Sequence, residues 1–252
     1  MISHNEQVDR QFGPVAAAYL TSQVHAQGAD LGRAAERLRG CANVLDLGCG
    51  AGHLAFAVAP GVGAIVACDL SADMLAAVTT EAARRGLPNL TTRRAAAEAL
   101  PFDDASFDAV CTRFSAHHWA DLARGVAEMR RVLKPGGRLI VIDIVAPPSP
   151  MFDTHLQAIE LLRDPSHVRD HSLAEWGDRL ARVGLVIAAH ETWRLRMVFD
   201  TWVARMKTPA DRVAVLRGLL QQAPREVRAH FDVGDDASFD IEAAWIECIA
   251  PR

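Results

Sequence analysis

Residues Val44–His53 read Val-Leu-Asp-Leu-Gly-Cys-Gly-Ala-Gly-His, a short apolar run that leads into three glycines at alternate positions. The run predicts a buried strand ending at Leu47, and a helix is expected to begin at about Gly52. Glycine adopts positive φ angles and lets a ligand approach the backbone closely. The N–H groups at the start of a helix favour an anionic group. The segment therefore predicts the strand, loop and helix of a nucleotide-binding βαβ unit.

The rest of the chain alternates apolar runs with stretches of helical period. Strands are predicted at Val44–Leu47, Ala64–Asp69, Leu90–Arg93, Asp108–Thr112, Arg138–Ile144, Val183–Leu195 and Ser238–Ile249. Helices are predicted at about 6–39 and at Gly52–Ala59, Ala72–Arg85, Asp121–Leu133, Met151–Leu162, Leu173–Arg182 and Thr208–Gln222. Runs rich in Val and Ile, separated by helices, are typical of parallel strands covered on both faces.

A proline-rich segment at 147–150 divides the chain, but the two strands after it can pair only with the first sheet. We therefore expect one domain over residues 1–252. N-terminal helices would occupy 1–40, a ligand-binding core 41–147, and substrate-side helices with the last two strands 148–252.

The net charge and the cysteine spacing argue against several classes of protein. The net charge of −4 gives no global basic field for nucleic acid. The five cysteines form no C-x-x-C pair, which argues against a structural zinc site and favours a reducing compartment. The polar N-terminus lacks the apolar stretch of a signal peptide, and no apolar run reaches the roughly 20 residues that span a bilayer. The expectation is a cytoplasmic protein with no membrane span.

The glycine spacing separates two kinds of nucleotide site. A dinucleotide fingerprint is G-x-G-x-x-G, whereas the spacing here is G-x-G-x-G, preceded by Asp46. A carboxylate at that place would repel a pyrophosphate but suits a ligand that carries an ammonium and a sulfonium. Asp69 follows about 20 residues on, at the end of the second strand, where a carboxylate can bind both ribose hydroxyls. An NAD(P)-dependent dehydrogenase is therefore disfavoured.

Four stretches in order resemble the motifs of class I S-adenosylmethionine (SAM)-dependent methyltransferases. They read VLDLGCGAGHLA, VACDLS, ALPFDDASFDAV and LKPGGRLIVID, within roughly residues 44–145. The small-molecule branch related to the ubiquinone/menaquinone-biosynthesis methyltransferases is the most similar. The resemblance implies an α/β fold with a Rossmann-like, mostly parallel sheet of seven strands. One strand would be antiparallel, helices would cover both faces, and a helical insertion would follow strand five.

The resemblance also implies a place for each part of SAM. The backbone around Gly48 and Gly50 would hold the methionine part, with Asp46 nearby. Asp69 would bind the ribose, and Arg113 would line the methionine end. Two of these residues have a purely structural alternative. Asp46 could only cap the adjacent helix, and Asp69 could be a turn residue.

For the adenine, the resemblance implies that Leu70 and Met74 flank the ring and that Ala97 and Glu98 meet its edge. The family often has an aspartate two residues before this glutamate, where the present chain has Ala96. One adenine contact is therefore in doubt. Glu98 could also be a solvated loop carboxylate.

Tyr19 lies in a segment, FGPVAAAYLTS, that resembles the lead-in helix of the same branch. The resemblance places Tyr19 over the sulfonium. Packing in the core is the alternative for this side chain.

The substrate side is expected at the carboxyl end of the fourth strand, where ligands bind in open α/β sheets. His117 and His118 follow that strand, and a neutral histidine there can act as general base. The alternative is that one of them caps the next helix or packs on Trp119. No metal site is expected, because no pair of histidines shares a helix face with a carboxylate.

Four polar residues crowd the loop after the Met151–Leu162 helix, and they predict either a lid over the substrate or an ordinary salt-bridged loop. They are Asp164, His167, Arg169 and His171.

The expected function is methyl transfer from SAM to a small apolar or aromatic acceptor, on oxygen or carbon. The alternative is a non-catalytic SAM-binding sensor or scaffold, which would lack a closed acceptor pocket. A protein or nucleic-acid methyltransferase would need an open, charged groove. No Asn-Pro-Pro-Tyr-like motif for amine methylation follows the fourth strand, where Thr112–Ser115 stand instead. The sequence leaves monomer and homodimer open.

Overall fold

The computed structural model describes residues 2–13 and 28–252, so Tyr19 lies outside the described residues. Within those ranges the chain forms one sheet of seven strands. The strands are β1 (Asn43–Leu47), β2 (Ala64–Asp69), β3 (Leu90–Arg94), β4 (Phe107–Arg113), β5 (Leu133–Ile144), β6 (Val186–Met197) and β7 (Phe239–Ile249).

The strand order across the sheet is β3-β2-β1-β4-β5-β7-β6. Strands β1 to β5 pair in parallel, and β7 is antiparallel to both β5 and β6. The predicted sheet, mostly parallel with one antiparallel strand near its edge, is confirmed. Because β1 lies between β2 and β4, the chain order reverses at β1, and a ligand crevice is expected outside the carboxyl ends of β1 and β4.

Ten α-helices lie in the described ranges, and none is long and apolar enough to cross a bilayer. They are α1 (His4–Phe12), α2 (Ala29–Arg37), α3 (His53–Val58), α4 (Ala72–Arg85), α5 (Leu122–Val132), α6 (Pro150–Arg163), α7 (Leu173–Arg182), α8 (Phe199–Arg205), α9 (Ala210–Gln221) and α10 (Arg225–His230).

Alternating side chains of the sheet build a core on each face. Leu45 and Leu47 pack on the side of α5 and α7, with Met129 and Trp176 as fully buried partners. Val44 packs on the opposite side, with the buried residues of α2, α3 and α4. Successive strand residues point to opposite faces, so the strands are buried on both sides. The predicted helical cover of both faces is confirmed.

A third apolar cluster joins α6, α8, α9 and α10 to the ends of β5, β6 and β7. Its centre includes Trp202 of α8 and Phe239 of β7, whose ring centroids lie 4.9 Å apart. This cluster contains α6, the first helix after strand five, whereas α7 packs in the first core. The cluster sits beside the carboxyl end of β5 and so walls one side of the crevice.

Three local predictions differ from the structure. Helices α8 and α10 were not predicted; they lie on either side of the predicted helix Thr208–Gln222. Strand β6 begins at Val186 rather than Val183, because the chain turns at Gly184 with a φ of +76°. Strand β5 begins at Leu133 rather than Arg138, and its pairing register with β4 shifts in this added part.

Candidate active site

The glycine loop after β1 is held by the end of β2. The N–H groups of Gly48 and Cys49 donate to the Cys68 carbonyl at 2.8 and 2.9 Å. Gly48 has a φ of +67° and Gly50 a φ of +49°, a region that side-chain-bearing residues rarely adopt. A Cβ at Gly48 would also lie 1.8 Å from the Ser115 Oγ. The loop therefore approaches the segment after β4 more closely than any other residue type would allow.

Asp46 lies at the bottom of the cleft beside this loop and is 1% exposed. Its Oδ2 accepts a hydrogen bond from the Ala55 N–H of α3 at 3.0 Å. Its Oδ1 is buried and has no hydrogen-bond partner. Burial raises the pKa of the Asp46 carboxyl to about 7, and the nearby Asp69 adds to the shift. Asp46 therefore does cap α3, as the alternative from the sequence proposed, and its Oδ1 can still accept a hydrogen bond from a ligand.

Asp69 ends β2 on the far side of the loop. Its Oδ2 accepts from the Gly50 N–H at 2.8 Å and its Oδ1 from the Ser71 N–H at 2.9 Å. Burial raises the pKa of this carboxyl as well. A carboxylate offers about four lone-pair positions, so each oxygen can still accept from a ligand hydroxyl. The two bonds fix the direction in which those lone pairs point.

The glycine-loop cleft, as we call the space around these residues, measures about 990 Å³ including its solvent-open part. Every described residue predicted to bind the cofactor lines it. These residues are Asp46, Gly48, Gly50, Asp69, Leu70, Met74, Ala97, Glu98 and Arg113.

Two of the predicted residues are tied down by partners on other elements. Glu98 accepts a hydrogen bond from the Asp121 N–H at 3.2 Å, so it is not a freely solvated carboxylate. The Arg113 guanidinium donates to Asp30 and lies 4.6 Å over the ring of Phe114. Both side chains present a fixed surface to the cleft.

Several lining residues were not predicted from the sequence. Asn5, Val8 and Phe12 come from α1, and Phe114 and Ser115 follow β4. Motif spacing could not place α1 over the cleft, because α1 is far from the glycine loop in the chain. For Ser115 the only signal is steric, since it fills the space that the missing Cβ of Gly48 leaves.

A second cavity of about 630 Å³ opens next to the cleft. The two share Phe12, Phe114 and His118. The apolar part of its wall is aromatic and aliphatic, formed by Ile144, Leu195, Met197, Trp202, Met206 and Ile241 in addition to the two phenylalanines. Its polar part holds His117, Glu160, Arg163, Asp164, Asp170 and Arg205 besides His118. In the described part of the chain, no group of three or more His, Cys, Asp or Glu side chains is placed to hold a metal ion.

His117 is paired with Asp143, a buried carboxylate of β5. The His117 Nδ1 lies 2.6 Å from the Asp143 Oδ1, while the backbone N–H groups of Ala116 and Ile144 donate to the same carboxylate at 2.9 and 2.8 Å. Burial disfavours the charged ring, but Asp143, with smaller contributions from Asp170 and Glu160, more than offsets this effect, and together they raise the pKa of His117 to about 9. His117 is therefore protonated at neutral pH.

The pKa of His118 is shifted in the opposite direction. Its Nδ1 lies 3.1 Å from the Ser166 carbonyl oxygen, and because a carbonyl only accepts, Nδ1 carries the hydrogen. The lone pair is then on Nε2. Burial and the charge of His117 lower the pKa of His118 to about 4. The structure thus separates two histidines that the sequence left as equal candidates, since only His118 is neutral at pH 7.

Because of the His117–Asp143 pair, we expect the free energy of unfolding to depend on pH. The pKa of His117 is raised from 6.5 to about 9. The pair's contribution to the free energy of unfolding is therefore fully present below about pH 6.5 and is lost as pH rises through about 9. Between pH 7 and pH 10 the wild type should lose about 2–3 kcal/mol of unfolding free energy that Asp143→Asn does not lose.

Urea unfolding at both pH values measures this difference, and titration of the His117 ring by NMR checks the pKa directly. Asp235→Asn, at an exposed loop position, should behave as the wild type. An Asp143→Asn protein with the wild-type pH dependence would contradict the assignment.

The polar loop between α6 and α7 is neither a solvated lid nor a simple salt-bridged loop. Asp164, His167 and His171 are each less than a tenth exposed, and the Val168 N–H donates to the His117 carbonyl at 2.8 Å. Arg169 does form a surface ion pair with Asp153 at 2.8 Å. The loop is therefore a buried wall of the second cavity, with one salt-bridged residue on its outer side.

Comparison with known proteins agrees with this architecture. The family described as "Methyltransferase domain" matches residues 45–141. The protein YafE of Escherichia coli is 43% identical over 196 residues, which are 78% of this chain and 95% of YafE. The methyltransferase YcgJ of Bacillus subtilis is 37% identical over 246 residues, 94% of this chain and 97% of YcgJ. The crystal structure of YcgJ superposes with a TM-score of 0.85 at 35% identity, covering 88% of this chain and 98% of that one.

A narrower similarity reaches the quinone-biosynthesis enzymes. Demethylmenaquinone methyltransferase of Thermus thermophilus is 41% identical over 112 residues, which are 43% of this chain and 50% of that enzyme. The full-length relatives, the matched fold and the glycine-loop cleft lead to one conclusion: the chain belongs to the class I SAM-dependent methyltransferases.

Proposed function

We propose that this enzyme holds SAM in the glycine-loop cleft and transfers its methyl group to a small apolar or aromatic acceptor, on oxygen or carbon, in the second cavity. The observation that carries the proposal is the wall shared by the two spaces, formed by Phe12, Phe114 and His118. A scaffold that only bound SAM would have no use for an adjoining cavity lined by aromatic side chains.

The residues of the cleft fit SAM at both ends of the ligand. The unpartnered Asp46 Oδ1 suits the ammonium of the methionine part, because a buried carboxylate oxygen needs a donor. Asp69, held by the N–H groups of Gly50 and Ser71, suits the two ribose hydroxyls. Arg113 and the backbone of Gly48 and Gly50 also line the cleft, and in this proposal they hold the methionine part.

The adenine end is mostly apolar. Leu70, Met74 and Ala97 offer surfaces for the ring faces and edge, with Glu98 beside them. Ala96 also lines this end, so no carboxylate stands at the position where the family often has an aspartate. Recognition of the adenine amino group would then rest on Glu98 and on the backbone.

When bound, SAM supplies an electrophilic methyl group on its sulfonium. The protein's task is then to hold the acceptor in line and to accept a proton. His118 has a lone pair on Nε2 and lies on both spaces, so it suits the role of base. His117 keeps its proton because of Asp143, and it suits the role of hydrogen-bond donor to an acceptor oxygen on which negative charge develops.

The aromatic and aliphatic lining of the second cavity favours a small molecule over a protein or nucleic acid. Its residues come from both sides of the crevice, with Phe12 on α1 and Trp202 on α8. A macromolecular substrate would need an open, charged groove. Calorimetric titration with SAM, S-adenosylhomocysteine and NAD+ tests the cofactor, and a screen of aromatic and aliphatic alcohols with labelled SAM tests the acceptor class.

Binding of both adenosyl ligands without NAD+ is the expected result. Absence of adenosyl binding would overturn the proposal for the cleft. Adenosyl binding with methylation of a peptide or nucleic acid, but of no small molecule, would overturn the proposal for the second cavity.

His118→Asn is the sharpest variant of the proposed base. The asparagine amide can replace Nδ1 as the donor to the Ser166 carbonyl, but it has no counterpart of Nε2. Methyl transfer to an acceptor found in the screen should slow at least about a hundredfold, while the affinity for SAM changes little. His190→Asn, on the exposed edge of β6, serves as the control. A His118→Asn enzyme that keeps the wild-type rate would show that another group takes the proton.

A further inference from the structure

The loop between α6 and α7 brings one buried carboxyl to the second cavity, and one oxygen of this carboxyl has no hydrogen-bond partner among the described residues. Asp170 is 1% exposed and lines that cavity. Its Oδ2 is buried without a hydrogen-bond partner. The nearest basic atom, the His167 Nε2, lies 3.8 Å away, beyond hydrogen-bond distance, and sits 3.0 Å from the Gln157 Oε1. Leaving such an oxygen unpaired is costly, which points to a ligand.

The position of Asp170 is fixed by its backbone. The Asp170 N–H donates to the Gln157 Oε1 at 3.0 Å, and the Gln157 amide donates to the Asp170 carbonyl at 2.9 Å. The carboxyl is therefore held in place by α6 independently of any contact that the side chain itself makes. This is the arrangement expected of a preorganised binding group.

The other acids of the cavity are already engaged. Glu160 pairs with Arg163 at 3.3 Å, and the Asp164 Oδ1 accepts from the N–H and the hydroxyl of Ser166 at 2.8 and 2.6 Å. Asp170 therefore stands out among the three carboxyls as the one with an unpaired buried oxygen.

The charges around Asp170 define the group that fits. Groups of both charge signs line this cavity, so a charged group on the acceptor would meet like charges whichever sign it carried. A carboxylate would meet the acids Glu160 and Asp164, and an ammonium would meet the protonated His117, Arg163 and Arg205. A neutral hydroxyl escapes both repulsions. It can also donate to a carboxylate or accept from a carboxylic acid.

We propose that Asp170 binds a neutral hydroxyl group of the acceptor, an alcohol or a phenol, and so selects hydroxyl-bearing apolar molecules over their charged analogues. The inference rests on the proposed function for its second cavity, but it can be tested without turnover. Burial raises the pKa of the Asp170 carboxyl well above its usual range, with the charge of His117 opposing the shift. A hydroxyl can form a hydrogen bond with the Asp170 carboxyl in either of its protonation states.

The probes are three naphthalenes that share one apolar body and differ in charge at pH 7.5: 2-naphthol, 2-naphthoate and 2-naphthylmethylammonium. Each is titrated calorimetrically into the whole protein, with and without S-adenosylhomocysteine. We expect the wild type to bind 2-naphthol at least about tenfold more tightly than the two charged probes, the discrimination that one hydrogen bond to a buried carboxyl provides.

Substitutions then assign the preference to Asp170. Asp170→Ala should lose about tenfold in affinity for 2-naphthol, whereas Asp170→Asn, which keeps an amide donor and acceptor, should retain most of it. Asp178→Ala, on the exposed face of α7, is the matched control. If Asp170 serves binding and not folding, Asp170→Ala should melt at a temperature no lower than that of the wild type. If Asp170 has a structural role, the melting temperature should fall.

Two outcomes would overturn the proposal: a wild type that binds the charged probes as well as 2-naphthol, or Asp170→Ala with unchanged naphthol affinity. Failure of S-adenosylhomocysteine to bind would count against the proposed function instead, because the naphthol titrations in its absence still decide the role of Asp170.

Discussion

Asp69→Ala is expected to weaken the binding of SAM and S-adenosylhomocysteine by about 10²–10⁴-fold, because a hydrogen bond to a charged group contributes about 1.5–3 kcal/mol and two ribose hydroxyls would lose theirs. The carboxylate lies at the end of β2, where the N–H groups of Gly50 and Ser71 orient it. Its loss removes the ligand contact and also one tie that holds the glycine loop.

Asp69→Asn separates these two effects. The asparagine oxygen can still accept from the Gly50 N–H, so the loop should stay in place, while the charge that strengthens the ribose contacts is gone. The Ser71 N–H loses its acceptor in this variant, so we expect an intermediate loss of affinity together with a small fall in melting temperature. Asp211→Ala, at an exposed position of α9, controls for the loss of a surface carboxylate. Unchanged affinity in Asp69→Ala would mean that the ribose lies elsewhere.

Gly48→Ala should be the most damaging small substitution in the cleft. A Cβ there would lie 1.8 Å from the Oγ and 2.6 Å from the Cβ of Ser115, and the Ser115 Oγ also accepts from the Trp119 indole N–H at 3.1 Å. The positive φ costs about 1–2 kcal/mol and the overpacking about 1–3 kcal/mol. We expect a stability loss of about 2–5 kcal/mol, with SAM binding abolished.

Gly50→Ala is the matched control for Gly48→Ala. Gly50 also has a positive φ, of +49°, but nothing lies within 4 Å of a Cβ built on it. It should therefore show only the backbone cost of about 1–2 kcal/mol. The double variant Gly48→Ala, Ser115→Gly should recover the overpacking part relative to Ser115→Gly alone. Equal losses in both glycine variants, measured by urea unfolding, would show that the contact with Ser115 does not matter.

Local signals explain why some elements could be predicted closely. Helix α4 spans Ala72–Arg85 as predicted, because Ser71 caps its first turn and Gly86 ends it with a φ of +67°. Helix α8 has no side-chain cap, and Val198 precedes it. It forms because Phe199 and Trp202 bury against the third cluster, and that packing is absent from any local pattern.

The candidate site also combines residues that local patterns predict with residues that depend on tertiary packing. The predicted cofactor residues follow strand ends within the motifs, and parallel strands bring their carboxyl ends to one edge. Asp143 ends the fourth quoted motif, but no motif pairs it with His117, and Asp170 lies outside all four motifs. Asp143 did carry a signal, since an aspartate inside the apolar run of β5 must be buried and needs a partner. Asp170 carried none, because its burial depends on how the loop folds over α6.

The single antiparallel strand has a consequence for how the enzyme can change. Because β7 returns between β5 and β6, residues 198–238 form an excursion between two neighbouring strands. That excursion supplies Trp202 and Met206 to the second cavity but nothing to the glycine-loop cleft. Under the proposed function, this excursion contributes to the acceptor cavity alone, although Phe12, Phe114 and His118 line both spaces. Directed evolution confined to the excursion can then search for new acceptors without changing any residue that lines the donor cleft.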